Sequence, residues 1–512
     1  MKKLIRLILV SMGFLFILVK SQAQVDPNQL ALIFSQTSNG GTARITGIGQ
    51  ANTALGGDVS SISSNPAGLG FYNRSEVSLT PAIKIASTSS DYLGNSSSIT
   101  NTYFGMANLG LVLNNTKSDK VPGSWKGGSF GFSYNRINDF RNEVNYSGTN
   151  IDNDYLDFVL DFANTNEAQL GDYYIVDLPY ETFLINDYSV SPEGDTTNGV
   201  WDTFIEYASP DSPVNQRENI ITSGYQNKWS FSYGGNFGDR FYFGFGLGIV
   251  SVKYERETIY GEDRYPESIL NYFNLYEKQK ITGVGVNGTF GIIVRPINSL
   301  TIGVSYVTPT AYTLTDAFET SLNSIWNPSA DYYYGSISDF KGDQTAGDRF
   351  DDWNYTLSTP MRLNTGLAYF INKNGFITVD IEWVNYANAK LKSSETNFSD
   401  ENQKIKDMYS SVINYRFGGE FRSGSFRFRA GYNYMNDPMK NSDEINRSKT
   451  TYSAGLGYRK AAFYIDMAIL YDTFKGKRAP YIIYPDQEIG PTPVADIKYN
   501  TTSLVITGGF LF

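Results

Sequence analysis

Two stretches of the chain carry spacings associated with chemistry. Gly127-Gly128-Ser129-Phe130-Gly131 satisfies G-x-S-x-G, the turn that presents a serine nucleophile in many hydrolases. Gly283-Val284-Gly285-Val286-Asn287-Gly288 satisfies G-x-G-x-x-G, the loop that cradles a pyrophosphate. Neither has what its chemistry needs. A serine nucleophile needs a base, and the chain has 0 histidines and 0 cysteines. Those absences remove imidazole catalysis, thiol nucleophiles, disulfides and Cys/His zinc sites. The glycine loop needs a helix N-terminus after it, whereas Phe290-Gly291-Ile292-Ile293-Val294 reads on as strand. No EF-hand spacing occurs either. The residues therefore predict no catalytic group, no metal and no cofactor. With 52 acidic against 42 basic residues and no basic cluster, they also predict no nucleic-acid partner.

The elements that these residues sit on are strands. A mean hydropathy of −0.31 is too polar for a helical membrane protein, while 38 Tyr, 33 Phe, 6 Trp and 48 Gly suit half-buried strands joined by tight turns. Residues 129–135 set Phe130, Phe132 and Tyr134 against Ser129, Gly131, Ser133 and Asn135. Residues 375–386 set Ile377, Val379, Ile381 and Trp383 against Thr378, Asp380 and Glu382. Such alternation predicts fourteen strands: 75–85, 103–112, 129–136, 228–237, 241–254, 280–294, 300–308, 361–370, 376–387, 411–421, 425–434, 450–460, 461–471 and 501–512.

From the third strand onward long and short links alternate, the short ones lying at Gly238-Asp239-Arg240, Arg295 to Ser299, Ile371 to Gly375, Arg422-Ser423-Gly424 and Lys460/Ala461. Short turns at one end and long loops at the other mark an antiparallel transmembrane β-barrel of a Gram-negative outer membrane. A soluble sandwich has no reason to sort its loops by end. Lys2, Lys3 and Arg6 ahead of an apolar run from Leu7 to Val19, closed by Ser21-Gln22-Ala23, predict a signal peptide over 1–23. The chain closes on Leu504, Ile506, Phe510 and Phe512 along one face, which resembles the ending by which such barrels reach their assembly machinery.

A fourteen-stranded lumen is wide enough to leak. Residues 24–74 alternate too poorly to be wall. They hold Leu30-Ala31-Leu32-Ile33-Phe34, then glycines at 40, 41, 47, 49, 56 and 57 that permit close packing in a confined space. The expected organisation is a plug over 24–74 inside a barrel over 75–512. Between Ile137 and Asn227 lie seventeen acidic residues and two basic ones, Arg141 and Arg217, which predicts one charged, outward-facing loop. Inside it, Tyr155, Leu156, Phe158, Val159, Phe162 and Ala163 recur at helical spacing behind Asn153 and Asp154, an amphipathic helix whose apolar face either packs on the loop or receives apolar ligands.

Several of these stretches carry a resemblance. Ser35-Gln36-Thr37, Gly40-Gly41-Thr42-Ala43-Arg44, Ala54-Leu55-Gly56-Gly57-Asp58 and above all Ser64-Asn65-Pro66-Ala67-Gly68-Leu69 resemble the N-terminal hatch of the FadL/TodX family of outer-membrane transporters for hydrophobic compounds. Leu300 to Thr310, Thr359 to Tyr386 and Tyr415 to Pro438 resemble strand pairs of the same family, and the likeness is weakest between Ile137 and Asn227. It implies a monomeric, fourteen-stranded, plugged barrel in contact with outer-membrane lipid. It further implies a hydrophobic small-molecule ligand, a long-chain fatty acid, moving passively from the outer loops past the plug and out through a gap in the wall. Related barrels also serve as cargo shuttles in protein secretion or as haem uptake receptors, the latter without any His or Cys ligand here.

Strand phase adds a candidate site. If odd residues of 376–387 face lipid, then Asp380, Glu382, Asn414, Arg416, Glu420, Arg427, Arg429, Arg459 and Asp466 face the lumen. Inward charges of both signs make ion pairs between wall and plug. Alternatively Arg362 or Arg416 receives a ligand carboxylate, with Leu32, Ile33 and Phe34 of the plug forming an apolar wall for its chain.

Overall fold

Alternating apolar and small polar residues fold into strands that each bury one face and leave the other apolar face exposed. A computed structural model describes residues 26–38, 40–117, 124–166, 168–171, 173–187, 201–266, 268–327, 343–350, 352–440, 445–483 and 489–512. The expected signal peptide lies outside the described residues. No helix among the described residues is long and apolar enough to cross a membrane.

The wall runs β1 (Glu76–Tyr92), β2 (Asn95–Thr116), β3 (Trp125–Asp139), β4 (Asn142–Asn150), β5 (Val214–Phe237), β6 (Phe241–Asp263), β7 (Leu270–Ile297), β8 (Leu300–Val307), β9 (Ala311–Trp326), β10 (Trp353–Ser358), β11 (Arg362–Ile371), β12 (Gly375–Asn385), β13 (Ser411–Ser423), β14 (Phe426–Met435), β15 (Lys449–Arg459), β16 (Phe463–Arg478) and β17 (Ala495–Leu511). β4 continues the column of β3 along β5, β9 continues β8 along β7, and β10 continues β11, so the seventeen segments form fourteen columns. β17 pairs with β1 from Glu76↔Leu511 to Asp91↔Asp496 and closes the ring.

The outer surface of the lower ring is a belt of Ile302, Val304, Ile377, Val379, Ile381, Trp383, Ile465, Met467, Ile469 and Phe510, all exposed. A closed barrel with such a belt is an outer-membrane protein, because only closed ladders satisfy every backbone group inside a bilayer.

Two expectations change. The link expected between the first two strands is itself strand: β1 and β2 pair without interruption up to Tyr92↔Asn95 and turn at Leu93-Gly94, both with positive φ as a two-residue hairpin requires. The segment Ile137 to Asn227 is not one loop. Its ends extend the ladder through β4 and β5, and the described residues between Asn150 and Val214 leave the barrel to form an outer lobe.

Inside the ring lie helix α1 (Pro27–Ser35), helix α2 (Ala43–Thr46), helix α3 (Ser61–Ser64) and a 3-10 turn (Pro66–Phe71). The outer lobe carries α4 (Tyr155–Thr165) and α5 (Tyr174–Glu181).

Candidate functional site

The plug is fixed by its own polar side chains and by the wall. Asn65 caps the 3-10 turn: its Oδ1 accepts from Ala67 N at 3.2 Å, its Nδ2 donates to Thr53 O at 2.7 Å and to Val304 O of β8 at 3.4 Å, and Pro66 occupies the first helical position. The Asn65-Pro66-Ala67 motif therefore ties two plug turns to the wall. A Cβ at Gly291 of the facing strand would overlap Asn65 Oδ1. Ser232 and Ser305 donate to plug carbonyls at Ile62 and Ser64, both at 2.6 Å, and Thr53 N donates to Asp380 Oδ2 at 2.8 Å.

Charges run through the same contact. Arg44 of the plug lies 3.6 Å from both Asp58 and Glu420, and Glu420 is bound by Arg429 at 2.8 Å, which also reaches Asp466 at 2.7 Å. Asp380, Glu382, Asn414, Arg416, Glu420, Arg429 and Asp466 are all buried as the phase predicted, while Arg427 and Arg459 are half-buried.

Of the two arginines expected to await a carboxylate, Arg416 is buried, forms an ion pair with Glu382 at 3.0 Å and donates to Asn364 Oδ1 at 3.2 Å. Arg362 donates to the carbonyls of Ser35, the last residue of α1, and of Thr37 beyond it, and lies 3.7 Å from Glu382. Both hold the lumen together, and Arg362 places positive charge at the helix end that favours it.

α1 lies across the upper lumen. Its buried face, Leu30, Ala31 and Phe34, packs on Tyr254, Tyr312, Tyr386 and Tyr409, and Gln226 donates to Phe34 O at 3.1 Å. Phe34 consequently belongs to that core and lines no described cavity. Leu32 and Ile33 are only partly buried and face a mouth cavity of about 670 Å³ above the helix, with Val144, Ile220, Phe474 and Ile497 as further apolar walls. Ile33 also borders a second cavity of about 470 Å³ beside the plug, lined by Gly40, Gly41, Gly105, Met106, Arg136 and Asp139 among others. Ile33, Gln36, Phe140, Asn142, Arg447, Phe474 and Tyr499 line both.

The second cavity meets a break in the wall that the sequence did not reveal. β2 and β3 pair from Thr116↔Gly127 up to Asn108↔Asn135 and no further. Above that point β3 slips register on β5 between Arg136 and Asn138, the chain turns at Phe140, and β4 resumes on β5. Residues 95–107 of β2 thus have a paired neighbour only in β1. Side chains bridge the opening: Ser97 Oγ donates to Asn145 O at 2.7 Å, Asn101 Nδ2 to Glu143 Oε2 at 2.8 Å, and Arg141 Nη1 to Phe104 O at 2.9 Å. Arg141 grips Asp139 at 2.6 Å, and Lys84 donates to the carbonyls of Asp139 and Arg141. The Arg136 guanidinium fills the space that a side chain at Gly105 would take.

The outer lobe covers the mouth with a separate core. Tyr155, Leu156, Phe158, Val159 and Phe162 of α4 are buried against Tyr260, Phe273, Leu322, Trp326 and Tyr481. The apolar face of α4 is thereby used in packing. Asp154 caps the helix and pairs with buried Arg264 at 2.7 Å, which also binds Glu262 at 3.1 Å.

No family model matches the sequence, and no curated protein matches it. Solved structures do. The crystal structure of the P. putida toluene transporter TodX matches over 93% of this chain and 99% of its own, with a TM-score of 0.52 at 13% identity. The fold is that of the FadL/TodX family. A Pseudomonas aeruginosa FadL homologue matches over 93% of this chain and 98% of its own, with a TM-score of 0.51 at 12% identity. The fold is shared over nearly the whole length of both chains, at an identity too low to carry ligand preferences across.

Proposed function

We propose that this barrel moves hydrophobic compounds, long-chain fatty acids among them, across the outer membrane without an energy input of its own. The observation that carries the reading is a pair of adjacent cavities, one at the mouth and one beside the plug, that reach from the outer end of the lumen to the wall. The mouth cavity and the plug-side cavity share lining residues, and the second ends at the unpaired stretch of β2. A ligand enters on Leu32 and Ile33, passes the plug along the side of Ile33 and Phe140, and leaves laterally between β2 and β4. A wall opening bridged by side chains alone needs no strand to be unzipped. One protein of like fold is described as a toluene transporter, which supports a hydrophobic cargo here.

Cells lacking the protein take up radiolabelled oleate more slowly than cells that carry it, and equal rates would sink the fatty-acid reading. Because the chain has 0 cysteines, the double variant Asn101→Cys/Glu143→Cys carries its only thiols across the opening. Bridging them with a short thiol cross-linker lowers uptake several-fold if exit is lateral, and reduction of the cross-link restores it.

A further inference from the structure

The basic residues of this chain are scattered in sequence, and the fold gathers some of them at one end. Arg74, Lys117, Arg240, Lys373 and Lys460 are all exposed at the short turns, where the ring also closes. The exposed acids at that end, among the described residues, are Asp239 and the terminal carboxylate of Phe512. The whole chain carries a net charge of −10, so this rim runs against the composition. Short turns of an outer-membrane barrel face the periplasm, which puts the rim at the depth of the inner leaflet's head groups.

One sector of the rim stands under an apolar crevice. A hollow of about 290 Å³ opens on β2, β3, β5 and β6, walled by Leu111, Leu113, Phe130, Phe132, Phe231 and Phe245. Leu113, Phe130, Phe231 and Phe245 are all exposed, which fixes the hollow on the lipid-facing side. Gly131 and Ser232 form its floor. The Ser232 hydroxyl turns inward to Ile62 O and a Cβ at Gly131 would strike Ile62, so these two residues leave only backbone on the lipid side.

The cations lie within one leaflet of the crevice. Lys117 follows Leu113 by four residues, a descent of about 13 Å along a strand, against roughly 15 Å of hydrocarbon in half a bilayer. Lys117 N donates to Lys126 O at 2.7 Å and Gly238 N donates to Ser124 O at 2.6 Å, which draws Lys117 and the Arg240 turn together. Arg240 donates from Nη1 to the carbonyls of Arg295 and Pro296, which hold its guanidinium in place without neutralising it. Between crevice and turns stand Trp125 and Phe243, their rings 6.0 Å apart, as an aromatic belt at the membrane–water boundary requires.

An apolar hollow with cations beneath it at head-group depth fits one class of molecule, a phospholipid whose head group carries net negative charge. We propose that this sector holds one such lipid of the inner leaflet, its phosphate on Lys117 and Arg240 and an acyl chain along Leu113, Phe130 and Phe231. The site lies outside the lumen and anchors the wall just below its opening, since Leu111↔Phe132 is three pairs under the last β2–β3 pair.

The test releases the full chain from nanodiscs of phosphatidylglycerol and phosphatidylcholine in equal parts and counts retained lipid by native mass spectrometry. The native protein keeps one phosphatidylglycerol, preferred over phosphatidylcholine by roughly tenfold or more. The double variant Lys117→Gln/Arg240→Gln lowers that preference by about fivefold for each cation removed. Leu111→Trp, which fills the crevice, lowers retention of both lipids. Equal retention of the two lipids by the native protein overturns the inference, as does a preference that survives the double variant. Displacement of the lipid by glycerol phosphate marks a bare anion site and overturns it. Displacement by oleate assigns the crevice to molecules leaving the wall opening, and overturns it too. Should the double variant not insert, lipids with brominated chains decide. Brominated phosphatidylglycerol then quenches more tryptophan emission than brominated phosphatidylcholine, and Trp125→Phe removes the difference; a difference that persists without Trp125 places the lipid elsewhere.

Discussion

The outer lobe and the plug both fill openings of the same barrel, and they are built by opposite means. The lobe is a small apolar core: aromatic side chains of α4 interlock with Tyr260, Phe273 and Trp326, and its buried charges converge on Arg264. Past α1, whose apolar face joins the tyrosine core, the plug has only small apolar patches on the wall, and polar contacts run between them: Asn65 to Val304 O, Thr53 N to Asp380, Ala43 N to Thr507, Arg44 to Glu420. Apolar cores of packed aromatics resist partial opening, because each displaced ring loses its burial. Hydrogen bonds and ion pairs to a wall can be exchanged for water one at a time, at a modest net cost each. The difference suits a fixed cover over the mouth and a plug that shifts as a ligand passes.

Breaking the hub of the lobe is expected to have the largest effect. Arg264→Met leaves Asp154 and Glu262 buried without their cation, at a cost of about 3–5 kcal/mol to the lobe. Hydrogen exchange should accelerate at the amides of 155–165 and remain unchanged at 43–71, where the plug sits. Accelerated exchange in both places would mean that cover and plug form one cooperative unit. Asp380→Ala does the reverse. It leaves Thr53 N without its charged acceptor, at about 1.5–3 kcal/mol. Exchange at 50–56 and the leak of small ions through planar bilayers should both rise, with the lobe amides as before.

The same contrast explains what the sequence made legible. The fourteen columns could be read because a strand between lipid and lumen must alternate, and the phase of 376–387 placed Asp380, Glu382, Arg416 and Glu420 on the lumen side. Above the bilayer the rule lapses. Ser87-Thr88-Ser89-Ser90 of β1 and Ser96-Ser97-Ser98 of β2 face water on the outside and polar groups within, so no alternation marks them and the β1–β2 hairpin went unread. The upper part of β5 was hidden the same way inside an acidic stretch. Leu32 and Ile33 were legible as an apolar piece in a polar plug, yet the pitch of a helix sends Phe34 into the tyrosine core behind them. Phase also puts Arg416 inside, but which group an inward arginine meets depends on which strands and plug residues face it across the lumen. The wall opening depends on where two strands stop pairing, and neither strand's own residues announce it. Inward glycines were the neglected signal: Gly244, Gly303, Gly366 and Gly418 are all sites where a Cβ would strike plug backbone or side chain, so glycine on the lumen phase marks the plug's footprint.

The smallest effect expected from the comparison is one of pH, and it is confined to the lobe. Asp157 stands at the third position of α4, where its carboxylate accepts from Asp154 N at 2.8 Å and closes a capping box. Burial, and after it the negative charge of Asp154, push its pKa up to about 7, against the pull of that hydrogen bond. In the unfolded chain an aspartate titrates near 3.9. Because the folded value is the higher one, the lobe binds a proton that the unfolded segment has released, so the stabilisation is complete below about pH 4 and fades as the pH rises through about 7. Protection of the 155–165 amides, corrected for intrinsic exchange, should therefore fall between pH 5.5 and 8. Asp157→Asn should flatten that dependence while leaving protection at 43–71 indifferent to the change. A parallel loss of plug protection over the same interval would assign the titration to groups shared by both regions and remove the independence argued for them.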